Sequence, residues 1–400
     1  MIPKLRFPEF IGDWNQHKLE EISTFYNGKA YKRSELKATG KYPILRVGNL
    51  FTNPEWYYSS DELPEHKMIE NDDLIYAWSA SFGPRIWKGD KVIFHYHIWK
   101  VVNDHVLVDK YFLYHLLDIE TAKMKYSNSN GFALLHITKG TIESWPVNIP
   151  NKREQIKIRQ LLDVLDHKIN LLTKNKEALE TYKKGLMQKI FSQELRFKRE
   201  DGTDYPEWEN YCIADLGEFF NGLTGKNSSH FGHGNSQYVQ YSQVFRNSYI
   251  KLDECDNVDV EDSDKQNALK LGDALFTTSS EVAGEVAFAS ILLNKPEIDT
   301  YLNSFCFGLR LNSLLAPSFA QYLFRTTIFR KAVYPLAQGS TRYNVSKKEV
   351  GKVKLLIPSV EEQNYIAKSF RILDSKIEQS ILLKKKTEQL KKGLLQQMFV

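Results

Sequence analysis

The sequence predicts an α+β protein built twice over: two globular α/β domains joined by two long helices that bury an apolar stripe against each other. Three observations carry this. The chain has 400 residues, more than one hydrophobic core usually organises. Ile149 to Phe191 aligns without a gap with Ile357 to Phe399 and matches at 17 of 43 positions, where composition alone gives about two or three. The first aligned segment spaces its apolar residues four and three apart, the seam of a coiled coil, and the second opens the same way.

The elements follow in chain order. Leu5-Arg6-Phe7 leads to Trp14, Leu19 and Ile22, and this start returns as Leu195-Arg196-Phe197 before Trp208, Ile213 and Leu216. The middle of each half reads as mixed α/β. Its β-rich runs include Tyr42–Leu50, Leu74–Trp78, Lys91–Phe94 and Val106–Val108, with amphipathic helices at Lys110–Asp118 and Ser318–Arg325. The middles share little beyond echoes such as Asp73-Leu74-Ile75-Tyr76 beside Asp273-Ala274-Leu275-Phe276. A period near 200 residues is a duplicated domain rather than a solenoid repeat.

The helices close each half. After Ile149-Pro150 neither proline nor glycine occurs until Gly185. The first stripe is Ile158, Leu162, Leu165, Ile169, Leu172, Leu179, Tyr182, Leu186 and Ile190. The second is Ile366, Phe370, Leu373 and Ile377, then Ile381, Leu390 and Leu394. Glu154 and Glu362 near the starts and lysines near the ends suit the helix dipole. A helix of ~40 residues is ~60 Å long, so its stripe must be buried, and the other copy is the partner to expect. The segments are 1–150, 151–191, 192–357 and 358–400.

Composition narrows the function classes. With 42% hydrophobic and 26% charged residues the chain is globular, not disordered. No run approaches ~18 apolar residues, so no membrane span is expected, and the absence of an apolar leader predicts a cytoplasmic protein. Cys212, Cys255 and Cys306 lie far apart, against a zinc ribbon or disulfide framework. The net charge is +5, concentrated in the two helical segments, and a local basic face suffices for phosphate contact. The seven carboxylates within residues 253–264 read as a solvated loop turned away from phosphate.

Catalytic patterns are incomplete. Gly222-Leu223-Thr224-Gly225-Lys226-Asn227 lacks the spacing and the Ser or Thr of a P-loop. Phe231-Gly232-His233-Gly234 has no strand directly before it and reads as a turn, and Asn53-Pro54-Glu55-Trp56 lacks the second proline and aromatic of an amino-methyltransferase motif. Asp61 with Glu65-x-Lys67 is interrupted by Pro64 and reads as surface. His95 and His97, and His230 and His233, have no partner at metal-ligand spacing. No metal, cofactor or catalytic residue is assigned.

The Pro-x-x-x-Glu-Gln helix start, the Leu-Asp-x-Lys-Ile core, the Lys-Lys-Gly-Leu-x-Gln end and Leu-Arg-Phe followed by Trp, each present twice, resemble the specificity (S) subunit of type I restriction-modification systems over the whole chain. The resemblance implies two target recognition domains, about 1–150 and 192–357, each reading one half of a bipartite sequence in double-stranded DNA. It implies that the helices pair antiparallel as a coiled coil that fixes the spacer. It further implies docking of two methyltransferase (M) subunits, with restriction (R) subunits in the larger assembly and methyl donor, ATP and chemistry left to those partners. Two like units can form a pseudo-two-fold object matching the approximate two-fold of a duplex.

Base-reading side chains should be polar and placed on loops and strand ends. The first choice is the turn Gln338-Gly339-Ser340-Thr341-Arg342-Tyr343-Asn344; its counterpart Ser127-Asn128-Ser129-Asn130-Gly131 lacks the arginine. Further candidates are Arg46 and Asn49; Ser79, Ser81 and Arg85; Lys226 and Asn227; and Gln240, Gln243 and Thr278. The rival expectation is a self-contained DNA modification or restriction enzyme, which requires a cofactor or metal site that these motifs do not supply.

Overall fold

The computed structural model describes residues 2–51, 53–79, 82–127, 137–261 and 263–399. They form two compact units, Met1–Thr173 with Ile381–Val400, and Lys174–Ser380. The central helix is Lys152–Phe191 and the terminal helix Val360–Met398, so each unit contains a segment of both.

The repeated motif at each helix start is a set of specific hydrogen bonds. Asn151 Oδ1 accepts from the Glu154 amide at 3.1 Å, and Ser359 Oγ from the Glu362 amide at 3.3 Å, which are N-caps with an acidic third residue. In the first unit, Gln155 Nε2 donates to the carbonyls of Leu107 and Pro150 while Oε1 accepts from the Asp109 amide. In the second, Gln363 repeats all three bonds with Leu314, Pro358 and Ala316. Each glutamine thereby ties a long helix to the start of a domain helix, Lys110–Ser127 or Pro317–Leu323. The glutamate beside it is buried and receives Arg6 and Trp14 in one unit, Arg196 and Trp208 in the other.

Helix ends repeat as well. Phe399 stacks on Phe112, with ring centroids 5.4 Å apart, and meets Trp14 edge-on. Phe191 meets Trp208 edge-on and packs on Phe319 at 5.4 Å. Even the backbone recurs: the Leu5 amide donates to the Gln397 carbonyl as the Leu195 amide donates to that of Lys189.

Within each unit the helix segments lie antiparallel. Ile158, Leu162 and Leu165 are buried, and Ile158 and Leu162 share a core with Leu394, Met398 and Phe399. Ile366, Phe370 and Ile377 are buried, and Ile366, Phe370 and the half-buried Leu373 share theirs with Leu186 and Ile190. Ile169, Leu172 and Leu179 are half-buried. Leu390 corrects the expected stripe: it is 55% exposed, as Tyr182 and Ile381 are exposed. The covered positions run instead through Ser380, Lys384, Thr387 and Lys391. Spacing, rather than polarity, decides which face is covered. Polar pairs occupy those positions: Lys391 bonds both oxygens of Asp166 at 2.6 and 2.8 Å, Lys183 bonds Asp374, and Asn175 donates to Ser380 at 3.1 Å. The first two are one pair with its members exchanged between the copies.

The divergent middles share the topology of their main sheet. In the first unit a four-stranded antiparallel sheet runs in the order Ser23–Asn27, Ile98–Asn103, Leu74–Ala77, Gly83–Ile86. In the second the order is Gly217–Asn221, Cys306–Leu311, Ala274–Thr277, Ala289–Ile291. Leu74 pairs with Val101 as Ala274 pairs with Leu309, so the register is kept too. Each unit adds a second sheet with one parallel pair, Tyr42–Leu45 with Val92–Phe94 or Phe231–Val239 with Thr300–Leu302. A two-stranded ribbon before each helix joins Asn15–Lys18 to Pro146–Ile149, and Glu209–Cys212 to Lys354–Ile357.

Two expected strands differ. Tyr42–Leu50 is a strand only to Leu45; Val47–Leu50 is a 3-10 turn because Asn49 Oδ1 captures the Arg46 amide at 3.1 Å. Val106–Val108 is a turn held by Asp104, whose carboxylate accepts from the amides of Val106 and Leu107.

Candidate nucleic-acid interface

In the first unit three candidates converge on residues 46–57. The half-buried Arg46 has its guanidinium 4.4 Å from the centroid of Tyr57. Asn49 shapes the turn, its Nδ2 donating to the carbonyls of Glu55 at 2.7 Å and Asn53 at 3.2 Å. The exposed Arg85, on Gly83–Ile86, lies 5.1 Å from the ring of Phe51. Ser79 is half-buried just past Leu74–Ala77. Ser81, Asn128, Ser129 and Asn130 lie outside the described residues.

In the second unit the turn at 338–344 is held at its base by reciprocal backbone bonds between Gln338 and Asn344, at 2.9 and 2.8 Å. Gly339 has φ +131°, and a Cβ there would lie 2.1 Å from the Arg342 carbonyl oxygen, so the tight return requires glycine. Gln338, Ser340, Thr341, Arg342 and Asn344 are exposed and Tyr343 is half-buried. Tyr343 and Asn344 pair antiparallel with Ser280 and Ser279. The half-buried Thr278 joins the same edge, its amide donating to the Phe305 carbonyl at 2.9 Å and its carbonyl accepting from Val345. Arg342 stands 5.7 Å from the ring of Phe305, which is 55% exposed. Behind this edge, Arg325 donates to the carbonyls of Val244, Phe245, Asn247 and Ala289, and Arg330 to those of Gly284, Val286 and Ala287. These two cations pin the walls of the cleft that Arg342 lines.

Other candidates are buried or already bonded within the protein. Gln243 is buried at 4% exposure, its Oε1 accepting from the Lys251 amide, so it shapes the helix Tyr241–Arg246 rather than presenting itself to a base. The Lys226 side chain is 6% exposed and ion-paired with Asp264, whose carboxyl it holds below the usual range; it is not available to a phosphate or base. Gln240 is bound to Asp256 and Ser242. Asn227 is exposed but caps the turn Ser228–His230 through Ser229. The acidic strip thus engages Lys226 and Gln240 from the expected set.

Aromatic residues at this edge escaped the sequence reading. The Trp78 amide donates to the His97 carbonyl at 3.2 Å, as that of Thr278 does to Phe305, so the two halves match here. Trp78 also stacks on Trp99 at 5.7 Å and donates from its indole to the Tyr96 carbonyl at 2.7 Å. Tyr96, 38% exposed, and Phe305 each stand in the turn before the returning strand. The signal was a bulky ring among polar residues between two strands, His95-Tyr96-His97 and Asn303-Ser304-Phe305. Burial, with the charges of His97 and Arg46, pushes His95 down to about 4.

Asp61 is bound by Lys29 at 2.7 Å, which holds its carboxyl below the usual range. Among the described residues no three His, Cys, Asp or Glu side chains group as a metal site, and no helix is long and apolar enough to cross a membrane.

The comparisons with known proteins agree with this duplicated architecture. Residues 11–181 and 205–392 each match the family model of the type I restriction modification DNA specificity domain. The chain is 24% identical to the specificity subunit of the type I restriction enzyme MjaVIII of Methanocaldococcus jannaschii, over 97% of this chain and 91% of that one. It is 25% identical to the putative MjaX specificity subunit of the same organism, over 98% and 93%. The crystal structure of the type I restriction-modification S subunit from M. genitalium superposes with TM-score 0.61 at 16% identity, covering 100% of this chain and 99% of that one. On these grounds the chain belongs to the type I restriction-modification DNA specificity family, with two of its domains in tandem.

Proposed function

We propose that this chain is the non-catalytic DNA-recognition subunit of a type I restriction-modification complex. Residues 1–150 and 192–357 each read one half of a bipartite target, and the helical segments 151–191 and 358–400 fix the spacer between them. Two methyltransferase subunits dock on the repeated helical frame, restriction subunits join the larger assembly, and methyl transfer and cleavage belong to those partners. One observation carries the reading: two four-stranded sheets of the same strand order and register present different residues at the same edge, Trp78 and His97 against Thr278 and Phe305. One frame with unlike tips suits a duplex whose two half-sites differ in sequence. The exposed apolar residues Val164 and Ile372, and Tyr182 and Leu390, recur at equivalent helix positions, which suits two copies of one partner.

Mapping methylated adenines across a genome with and without this chain, in the presence of its methyltransferase partner, tests the proposal. A split motif that appears only with the chain supports it. Methylation by the purified chain alone, or an unchanged map, overturns it.

A further inference from the structure

We propose that Glu281 accepts a hydrogen bond from the N4 amino group of a cytosine whose paired guanine meets Arg342, so that the two side chains read one G·C pair. This rests on the recognition reading above and deepens it. The cleft beside the 338–344 turn has a volume of about 320 Å³ and is lined by Tyr241, Phe245, Glu281, Glu285, Phe305 and Arg342, among others. Carboxylates beside DNA are repelled by phosphate, so their presence at this edge asks for a partner that donates hydrogen bonds.

The two carboxylates are not equivalent. Glu285 is engaged within the protein, its Oε2 accepting from Ser280 Oγ at 2.8 Å. Glu281 is exposed and has neither a hydrogen bond nor an ion pair from its side chain among the described residues. Arg342 is exposed, and its guanidinium meets only the ring of Phe305 among them.

Ser279 pairs with Asn344 and Ser280 with Tyr343; the ladder ends there, Glu281 follows one strand and Arg342 precedes the other, and both line the cleft. Among the described residues no ion pair joins these two, so each keeps its hydrogen-bonding capacity for a ligand in the cleft. Both backbones are held: Ser280 Oγ accepts from the Val282 amide at 3.1 Å, and Gly339 with the Gln338–Asn344 bonds fixes the other side. The result is a donor fork and an acceptor beside the end of one short ladder, facing one cleft. In the major groove a G·C pair offers the complement, acceptors O6 and N7 on guanine and the N4 donor on cytosine.

The test is selection of duplexes by the full chain in its methyltransferase complex, from a library randomised across both half-sites, with wild type and Glu281→Gln. The expected result is a G·C position in one half-site whose preference over A·T falls about tenfold or more in the variant. The other half-site should keep its preference, which also shows that the variant is folded. Even tightening of all duplexes, the mark of a carboxylate that merely repels phosphate, overturns the inference, as does an unchanged preference. A wild-type complex with no base preference at all overturns the recognition reading and this inference with it.

Discussion

Removing the buried glutamate at a helix start should harm the two units unequally, and the structure says which suffers more. Glu154 is 0% exposed and accepts two charge-assisted bonds from Arg6, both 2.7 Å, with the Trp14 indole at 3.4 Å. Glu154→Ala leaves a guanidinium of 12% exposure with the carbonyls of Gly12 and Ile11 but no bonded carboxylate, and breaking a buried pair in this way costs about 3–5 kcal/mol. In the second unit Glu362 accepts one bond from Arg196 at 3.1 Å and one from Trp208 at 3.1 Å, while its Oε1 is buried without a partner. Arg196 is 21% exposed and keeps Glu207 and the carbonyls of Tyr205 and Pro206. Glu362→Ala should therefore cost less, about 1.5–3 kcal/mol, as for a hydrogen bond to a charged group. Hydrogen exchange along a urea series reads the two units through separate peptides. Losses that are equal, or larger for Glu362→Ala, would refute this account of the motif. Replacing the first pair by Arg6→Met with Glu154→Leu should recover much of the loss, because desolvation of both charges is then avoided.

The remaining expectations concern the site and the seam. Arg342→Ala should weaken discrimination at one base pair by about 1–3 kcal/mol, read by competition between half-site variants; equal loss on every sequence would make it a phosphate contact. His95 is neutral in the fold down to about pH 4 but protonates near its ordinary value of 6.5 when unfolded. Its contribution is therefore complete above pH 6.5 and is lost as pH falls from there towards 4. His95→Gln should flatten the urea midpoint over that window, and an unaltered slope counts against the shift. Leu390→Gln should change stability by less than about 0.5 kcal/mol, whereas Leu162→Ala should cost about 2–5 kcal/mol, both read from urea midpoints.

What the sequence made legible follows from what each contact demands. The Glu-Gln pair, the arginine and the tryptophan must present particular atoms to particular carbonyls and amides, so few substitutes work and the residues themselves recur. The strands of the middles need only an apolar side chain of workable size. Ala274, Leu275 and Phe276 therefore do the work of Leu74, Ile75 and Tyr76 with no matching letters, so the sequence carries only an echo of the shared sheet beside Asp73 and Asp273. Leu390 was misread because apolarity was taken as the marker of the seam, while Thr387 and Lys391 hold the covered positions with polar groups that are themselves bonded. Gln243 and Lys226 were misread for the converse reason. A polar side chain is sequence-neutral between meeting solvent and satisfying a neighbour, and only the fold brings Lys251 and Asp264 to them.

The same distinction bears on how such a chain changes its target. Residues at the proposed reading edge are held largely by backbone: the Trp78 or Thr278 amide to a carbonyl, the 338–344 turn by main-chain bonds, and the cleft beside it by arginines whose hydrogen bonds all go to carbonyls. Contacts of this kind are indifferent to the side chain displayed in front of them. Side-chain replacement at positions such as 278, 281, 305 and 342 is therefore weakly coupled to stability, as expected for exposed or half-buried residues away from a packed core. The helix latches show the opposite coupling, since their side chains are the structure. Variation can concentrate at the tips while the frame keeps its letters, and the contrast between repeated ends and divergent centres in the sequence is the imprint of that division.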